Sequence, residues 1–325
     1  MTYAIRMHSQ GGPEVLHWEE ISVPQPGPGE VLLRHRAVGL NYIDVYHRSG
    51  AYPLALPNTP GLEGAGVVEA LGEGVTSLMV GDRVAYAGGP IGAYAERRTI
   101  PADRVVKLPD DISLETGAAM MLQGMTAQYL LRRTYAVKAG DTILVHAAAG
   151  GVGLILCQWA KHLGATVIGT VGSDEKAALA RANGCDFPIV YTREDFHERV
   201  LHITGGAKVP VVYDSIGRDT FQKSLECLAP LGMMVMYGAA SGAVPPFDLG
   251  LLAKLGSLYI TRPTLFTYIA KRDDLERTAA ELFDVVSKGI VKISINQTYP
   301  LRDAAQAHRD LEARKTTGST ILTLA

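Results

Sequence analysis

Cysteine is scarce in this chain. Three residues in 325, Cys157, Cys185 and Cys227, are odd in number and widely spaced. That excludes a disulfide framework and fits a reducing compartment. Charge of either sign barely dominates: the formal net charge is −2, so there is no global basic field to draw in nucleic acid. Long hydrophobic runs are missing as well. The most apolar stretch, Leu231–Ala240 (LGMMVMYGAA), is too short and too interrupted by glycine to span a bilayer. The first ten residues, MTYAIRMHSQ, lack a cationic segment followed by an apolar core, so no secretory signal is visible and a cytoplasmic protein is expected. Internal repeats and low-complexity tracts are absent too. What remains, 47% hydrophobic and 20% charged residues, is the composition of a globular protein of two domains or one large one.

The chain is organised around Thr142–Gly153, TILVHAAAGGVG. Thr142–His146 is a short β-branched apolar run, as in a strand buried on both faces. A turn of small residues follows, Ala147 to Gly153. Apolar Leu154, Ile155, Leu156, Trp159, Ala160 and Leu163 then recur at helical spacing up to Gly164. Strand, glycine turn and helix form a unit that binds a dinucleotide pyrophosphate on backbone N–H groups at a helix N-terminus. In the G-x-G-x-x-G frame Ala148 takes the first place, and Gly150 and Gly153 take the others. A second strand pattern, Ala165–Val171, starts straight after Gly164 and completes a βαβ rhythm.

Residues 1 to about 110 read as β-rich, with runs such as Val31–Val38 and Gly66–Leu71 punctuated by Gly/Pro stretches. They predict a partly closed antiparallel barrel. Ser113 is a candidate N-cap for a helix running through Leu131. From Gly140 strands are predicted at 142–146, 166–171, 187–190, 209–213, 232–237 and 256–261, with helices between most of them. That alternation predicts an α/β, doubly wound parallel sheet. Helices at Asp273–Lys288 and Leu301–Arg314 then precede a last strand, Thr320–Leu324, that returns to the first domain. The expected domains are 1–123 with 266–325, and 124–265.

Gly39-Leu-Asn41-Tyr-Ile-Asp44, Pro60-Gly-Leu62-Glu63-Gly-Ala-Gly66-Val-Val, Gly81-Asp82-Arg83-Val84 and Ala147–Gly153 occur in this order, with Asp214–Gly217 and Leu255–Pro263 adding later matches. Over essentially its whole length the chain resembles the medium-chain dehydrogenase/reductase superfamily, in its zinc-free, NADPH-dependent quinone oxidoreductase (zeta-crystallin-like) branch. The resemblance implies a Rossmann domain beside a β-rich, GroES-like catalytic domain. Zinc-dependent members carry cysteine and histidine where this chain has Asn41 and Leu62, and neither replacement supplies a thiolate or imidazole. The first domain holds no cysteine for a four-cysteine structural zinc lobe, and histidines 8, 17, 35 and 47 show no ligand spacing. A metal-free enzyme is expected. Reduction of a quinone suits such a site, because hydride addition yields a delocalised phenolate, and the protein needs mainly to orient the reactants. Conjugated enals and enones accept hydride similarly and are the enzymatic alternative.

The resemblance places Asn41, Tyr46 and Tyr52 around the nicotinamide and substrate. An amide can hydrogen-bond a ribose or a carbonyl, and tyrosines can stack on a planar ring or donate a proton. A turn role for Asn41 and packing roles for the tyrosines compete. Gln123 and Thr126 resemble positions beside the cofactor, with helix-surface polarity as the rival. Gly150, Gly151, Val152 and Gly153 would hold the pyrophosphate. Gly172 and Ser173 stand where NAD-preferring folds place an acidic residue, leaving room for a 2′-phosphate near Lys176; local pairing with Asp174 and Glu175 is the alternative. Tyr191 and Arg314 complete the phosphate set that the resemblance implies. Ser215, Tyr237, Gly238, Ser241, Thr261 and Arg262 fall at the cofactor edge of the sheet, Arg262 with a structural salt bridge as its rival. The leading expectation is an NADPH-dependent reductase of small quinones, a homodimer joined at the apolar strand Leu255–Ile260. An NADPH-binding regulatory or RNA-binding protein is the reading from another class, and the near-neutral charge weighs against it.

Overall fold

The computed structural model describes residues 1–324. Strands β1 (Thr2–Arg6), β2 (His17–Ile21) and β3 (Glu30–Leu40) lead into helix α1 (Tyr42–Ser49). Next come β4 (Glu63–Leu71), β5 (Arg83–Ala87), β6 (Arg97–Pro101), β7 (Val106–Lys107) and α2 (Leu114–Tyr129). Strand and helix then alternate through β8 (Thr142–Val145), α3 (Gly151–His162), β9 (Thr166–Val171), α4 (Asp174–Ala182), β10 (Phe187–Val190), α5 (Phe196–Ile203), β11 (Val209–Asp214), α6 (Phe221–Glu226) and β12 (Leu228–Met236). The chain ends with α7 (Gly250–Lys254), β13 (Tyr259–Thr261), α8 (Leu265–Tyr268), α9 (Arg272–Ser287), β14 (Ile295–Pro300), α10 (Ala304–Glu312) and β15 (Ser319–Thr323).

The chain divides into two compact units, one of 1–125, 268–287 and 293–325, the other of 126–267 and 288–292. The stretch 288–292 falls in the second unit, where the Gln158 amide grips Lys292. Gln158 Nε2 donates to the Lys292 carbonyl at 3.1 Å, and the Lys292 N–H donates to Oε1 at 2.9 Å.

In the first unit the strands run β14-β15-β3-β4-β5-β7, with β6 also on β3, and β1 pairs with β2 separately. The pairs are antiparallel except β14 with β15, which is parallel, so the sheet is not the purely antiparallel one that the pattern predicts. Val31, Leu33, Val38, Val84, Tyr94, Ile100 and Leu322 are all fully buried in its core, where apolar burial supplies the main folding drive. The Thr116 N–H donates to Ser113 Oγ at 3.0 Å, which caps α2 at its N-terminus.

The second unit is a six-stranded parallel sheet, β10-β9-β8-β11-β12-β13. Ile143, Leu144, Val145, Val167, Ile168, Val211 and Val212 have no exposed surface, as strands covered on both faces require. At the edge the strand is shorter than its apolar pattern predicts. Gly256 (φ 114°) and Ser257 (φ 57°) turn left-handed, which breaks the extended backbone, so β13 begins only at Tyr259. No helix among the described residues is long and apolar enough to cross a membrane.

Candidate active site

In the first unit, β3 ends at Leu40 and α1 begins at Tyr42, so Asn41 is the helix N-cap. Its backbone N–H donates to Asp44 Oδ2 at 2.9 Å, a carboxylate reaching back across the first turn. The Asn41 side chain is buried and engaged at both ends: Nδ2 lies 2.6 Å from Glu63 Oε2, and Oδ1 lies 3.1 Å from Gln123 Nε2. The Leu122 N–H donates to Glu63 Oε1 at 2.7 Å, and Gln123 Oε1 stands 2.7 Å from Ser319 Oγ. Gln123 is thus a buried, bonded residue, not surface polarity on α2. Burial pushes the Glu63 carboxyl up to about 8, with Asp44 nearby adding to the effect.

A second line of buried groups ends on Asp44. Arg48, 2% exposed, pairs both terminal nitrogens with Glu312 at 2.8 Å. Its Nη1 also faces His308 Nδ1 at 3.2 Å, and His308 Nε2 faces Tyr94 Oη at 3.2 Å. Guanidinium can only donate, so His308 carries its proton on Nε2 and donates to Tyr94, which donates to Asp44 Oδ2 at 3.0 Å. Burial, reinforced by Arg48, lowers His308 to about 3. Asp44 Oδ1 finds no donor, and burial raises its carboxyl to about 7. Beside this network Tyr46 and Tyr52 have ring centroids 5.0 Å apart, and Tyr42 meets Tyr46 edge-on at 5.3 Å. Tyr52 is 38% exposed.

In the second unit, α3 starts on the glycine turn with Gly150 as N-cap, followed by Gly151, Val152 and Gly153. A Cβ on Gly153 would lie 2.3 Å from the Ala147 carbonyl oxygen, so only glycine closes this turn. Ala148 is admitted at the frame's first place because the next strand gives way: a Cβ on Gly169 would meet the Ala148 methyl at 2.6 Å. Across the sheet end a Cβ on Gly238 would come within 2.5 Å of the Ser215 carbonyl oxygen. The turn carrying Ser215 is held by Asp214, whose Oδ1 accepts from the Ile216 and Gly217 N–H groups at 2.7 and 3.0 Å. Asp214 Oδ2 accepts from Thr220 and Ser224, and Ser224 in turn meets His146 Nε2 at 2.9 Å. His146 Nδ1 meets Thr170 Oγ1 at 2.9 Å, so fully buried side chains lock three strand ends behind the turn.

Ser173 caps α4, its Oγ accepting from the Lys176 N–H at 3.3 Å. Asp174 pairs with Arg193 at 2.5 and 2.7 Å, and Glu175 bonds the Ser173 hydroxyl. Tyr191, 44% exposed, leans over Gly172, where a Cβ would lie 2.9 Å from its hydroxyl oxygen. Arg262 Nη1 donates to the Met236 and Gly238 carbonyls at 2.9 and 3.1 Å, so backbone oxygens, not a carboxylate, take this nitrogen. Ser241 ties its turn to the Ile216 carbonyl at 2.9 Å and to the Asp219 N–H at 3.0 Å. Tyr237 bonds Ser215, and burial raises its phenol. Thr261 ends β13, paired with Val235, and Thr126 is buried. Arg314 belongs to the first unit; α10 stops at Glu312, and Arg314 sits just beyond at φ 58°.

Glu63, His146 and Asp214 are the polar residues that motif reading passed over. All three stand inside quoted motifs, yet only the fold reveals the burial of Glu63 and Asp214 and the partners of His146. Asn41 and Leu62 offer an amide and an alkyl group where a metal would need donors. Among the described residues no three His, Cys, Asp or Glu cluster to hold a metal ion.

Residues 27–110 match the alcohol dehydrogenase GroES-like domain, and 151–284 match the family described as zinc-binding dehydrogenase. The chain is 53% identical to a quinone oxidoreductase of Pseudomonas aeruginosa, over 99% of both chains. It is 49% identical to a 2-haloacrylate reductase of a Burkholderia species, again over 99% of both. The crystal structure of Escherichia coli quinone oxidoreductase complexed with NADPH superimposes with a TM-score of 0.98 at 48% identity, covering 100% of each chain. This chain belongs to the medium-chain dehydrogenase/reductase superfamily, in its zinc-free quinone oxidoreductase branch.

Proposed function

We propose that this protein is an NADPH-dependent reductase of small quinones. The observation that carries the reading is Asn41 held in an amide and carboxyl network at the place where zinc-dependent relatives have a ligand. A quinone needs no Lewis acid to accept hydride, since its reduced anion is delocalised. NADPH, when bound, supplies that hydride. Close-packed backbone at Gly153 and Gly238 admits no side chain there, and N–H groups at the N-terminus of α3 would receive the diphosphate. Gly150, Gly151 and Val152 would bind the diphosphate with them. Ser173, Lys176, Tyr191 and Arg314 would recognise the 2′-phosphate, and Thr126, Ser215, Tyr237, Ser241, Thr261 and Arg262 would line the remaining cofactor surface. Asn41, steadied by Gln123, orients the ring, and Tyr46 and Tyr52 offer it an aromatic face.

Protein purified without a chelator tests this reading. It should contain no stoichiometric zinc, and adding a chelator should leave its oxidation of NADPH by a small quinone undiminished. One zinc per chain, with activity lost to the chelator, would overturn it. The similarity to a 2-haloacrylate reductase supports the second reading, reduction of activated alkenes.

The three cysteines are unpaired and buried, which supports a reducing, cytoplasmic setting. β13 leaves one side unpaired at the sheet edge, with Tyr259 58% exposed. Such an edge favours pairing with a second copy, so a twofold homodimer is the proposed assembly. Light scattering should give twice the chain mass at micromolar concentration, and a monomer mass would reject it.

A further inference from the structure

Glu63, Asn41, Gln123, Ser319 and the Ala119 carbonyl form one unbranched line of hydrogen bonds. Ser319 Oγ stands 2.7 Å from Gln123 Oε1 and 2.9 Å from the Ala119 oxygen. A hydroxyl has one proton, so with Gln123 Oε1 facing it, Ser319 can serve only one of two buried acceptors. The other end has its own difficulty. The 2.6 Å separation between Asn41 and Glu63 Oε2 is short for N–H···O but ordinary for O–H···O. Turning both amides by 180° resolves both problems at once. Gln123 Nε2 then donates to Ser319, whose proton goes to Ala119. Asn41 Nδ2 donates to Gln123 Oε1, and Asn41 Oδ1 is left facing Glu63 Oε2 across 2.6 Å. That last contact needs a proton between the two oxygens.

We infer that Glu63 is a neutral carboxylic acid in the folded protein, donating to the Asn41 amide oxygen and so fixing the orientation of both the Asn41 and Gln123 amides. Leu122 continues to donate to Oε1, which serves as the carbonyl oxygen of the acid. The backbone N–H groups of Leu122 and Met121 favour the carboxylate, but the rest of the surroundings favour the neutral form. Asp44 faces Glu63 from α1, and the phenols of Tyr86 on β5 and Tyr94 feel its charge. The cations are one step removed: Arg98 on β6 engages Tyr86, where His35 on β3 also bonds, and Arg48 with His308 lies behind Tyr94. Burial then raises the acid to about 8. Glu63 is a positioning residue: its proton decides which end of the Asn41 amide is a donor. This deepens the proposed function, and only its activity readout rests on that reading.

Glu63→Gln separates the two states. Glutamine can accept from Leu122 and donate to Asn41 Oδ1, which mimics the neutral acid, but presenting its oxygen to Asn41 would aim its NH2 at the Leu122 N–H. Protein carrying carboxyl-13C glutamate should show one glutamate still protonated at pH 7, and that signal should vanish in Glu63→Gln. The variant should keep wild-type kcat at pH 7 within about threefold, and should lack the decline through pH 8 that is expected of wild type. A spectrum with every glutamate ionised at pH 7 would overturn the inference, as would a variant that folds but loses tenfold or more in kcat at pH 7. The wild-type spectrum decides the matter if the variant fails to fold. It is also independent of which substrate is reduced.

Discussion

Lys176 stands in the first turn of α4, where a cation opposes the helix dipole. A charge-assisted hydrogen bond to a 2′-phosphate is worth about 1.5–3 kcal/mol. Lys176→Ala should therefore weaken NADPH by roughly 10- to 150-fold and leave NADH nearly unchanged. Titrating wild type and variant with both cofactors checks this, and equal losses would make Lys176 a fold residue. Arg48 makes a different case. Removing a buried guanidinium that pairs with Glu312 and His308 leaves those groups unsatisfied. Glu312 is about one-third exposed, so the loss falls below the 3–5 kcal/mol of a wholly buried pair. Arg48→Ala should cost about 2–3 kcal/mol, read from denaturant unfolding.

At the scale of elements, the β8 turn carries the sharpest steric prediction. Gly153→Ala places a methyl against the backbone oxygen of Ala147, which has no rotamer to escape through. The variant should lose about 1–3 kcal/mol of stability and at least tenfold in NADPH affinity, by thermal melting and fluorescence titration. This element was legible because the strands of a parallel sheet are short, largely apolar and β-branched runs: 166–171 and 187–190 are strands as the pattern predicts. Leu255–Leu258 has the same composition but a different cause. Leu255 and Leu258 are apolar because they pack on the core of the second unit, and two left-handed residues between them forbid a strand. Likewise the pattern predicts one helix over 301–314, whereas a 3-10 turn at Leu301–Asp303 precedes α10, which stops at Glu312. The roles of Glu63 and His146 were not legible. A glutamate in a glycine-rich motif gives no sign of burial, and a histidine at the end of a buried strand gives no sign of the Thr170, Ser224 and Asp214 side chains that distant segments bring to it.

Across the whole molecule, buried titratable groups pull stability in opposite directions with pH. Glu63 and Asp44 are raised, to about 8 and about 7, so the folded state holds protons that the unfolded chain releases. Their contribution is complete below about pH 4 and is lost as pH rises through 7 to 8. His35 and His308 are lowered to about 3 by burial. Their contribution is complete above about pH 6.5 and is lost as pH falls through 3. The two effects offset one another between, so the melting temperature should be highest near pH 5–6.5 and fall on both sides, and a maximum above pH 8 would contradict these shifts. The most direct test of the molecule as a whole compares acceptors. Measured as kcat/KM for NADPH oxidation by the metal-free protein, small ortho- or para-quinones should exceed 2-alkenals by at least tenfold. A clear preference for the alkenals would contradict quinone reduction and assign this chain to the activated-alkene reductases.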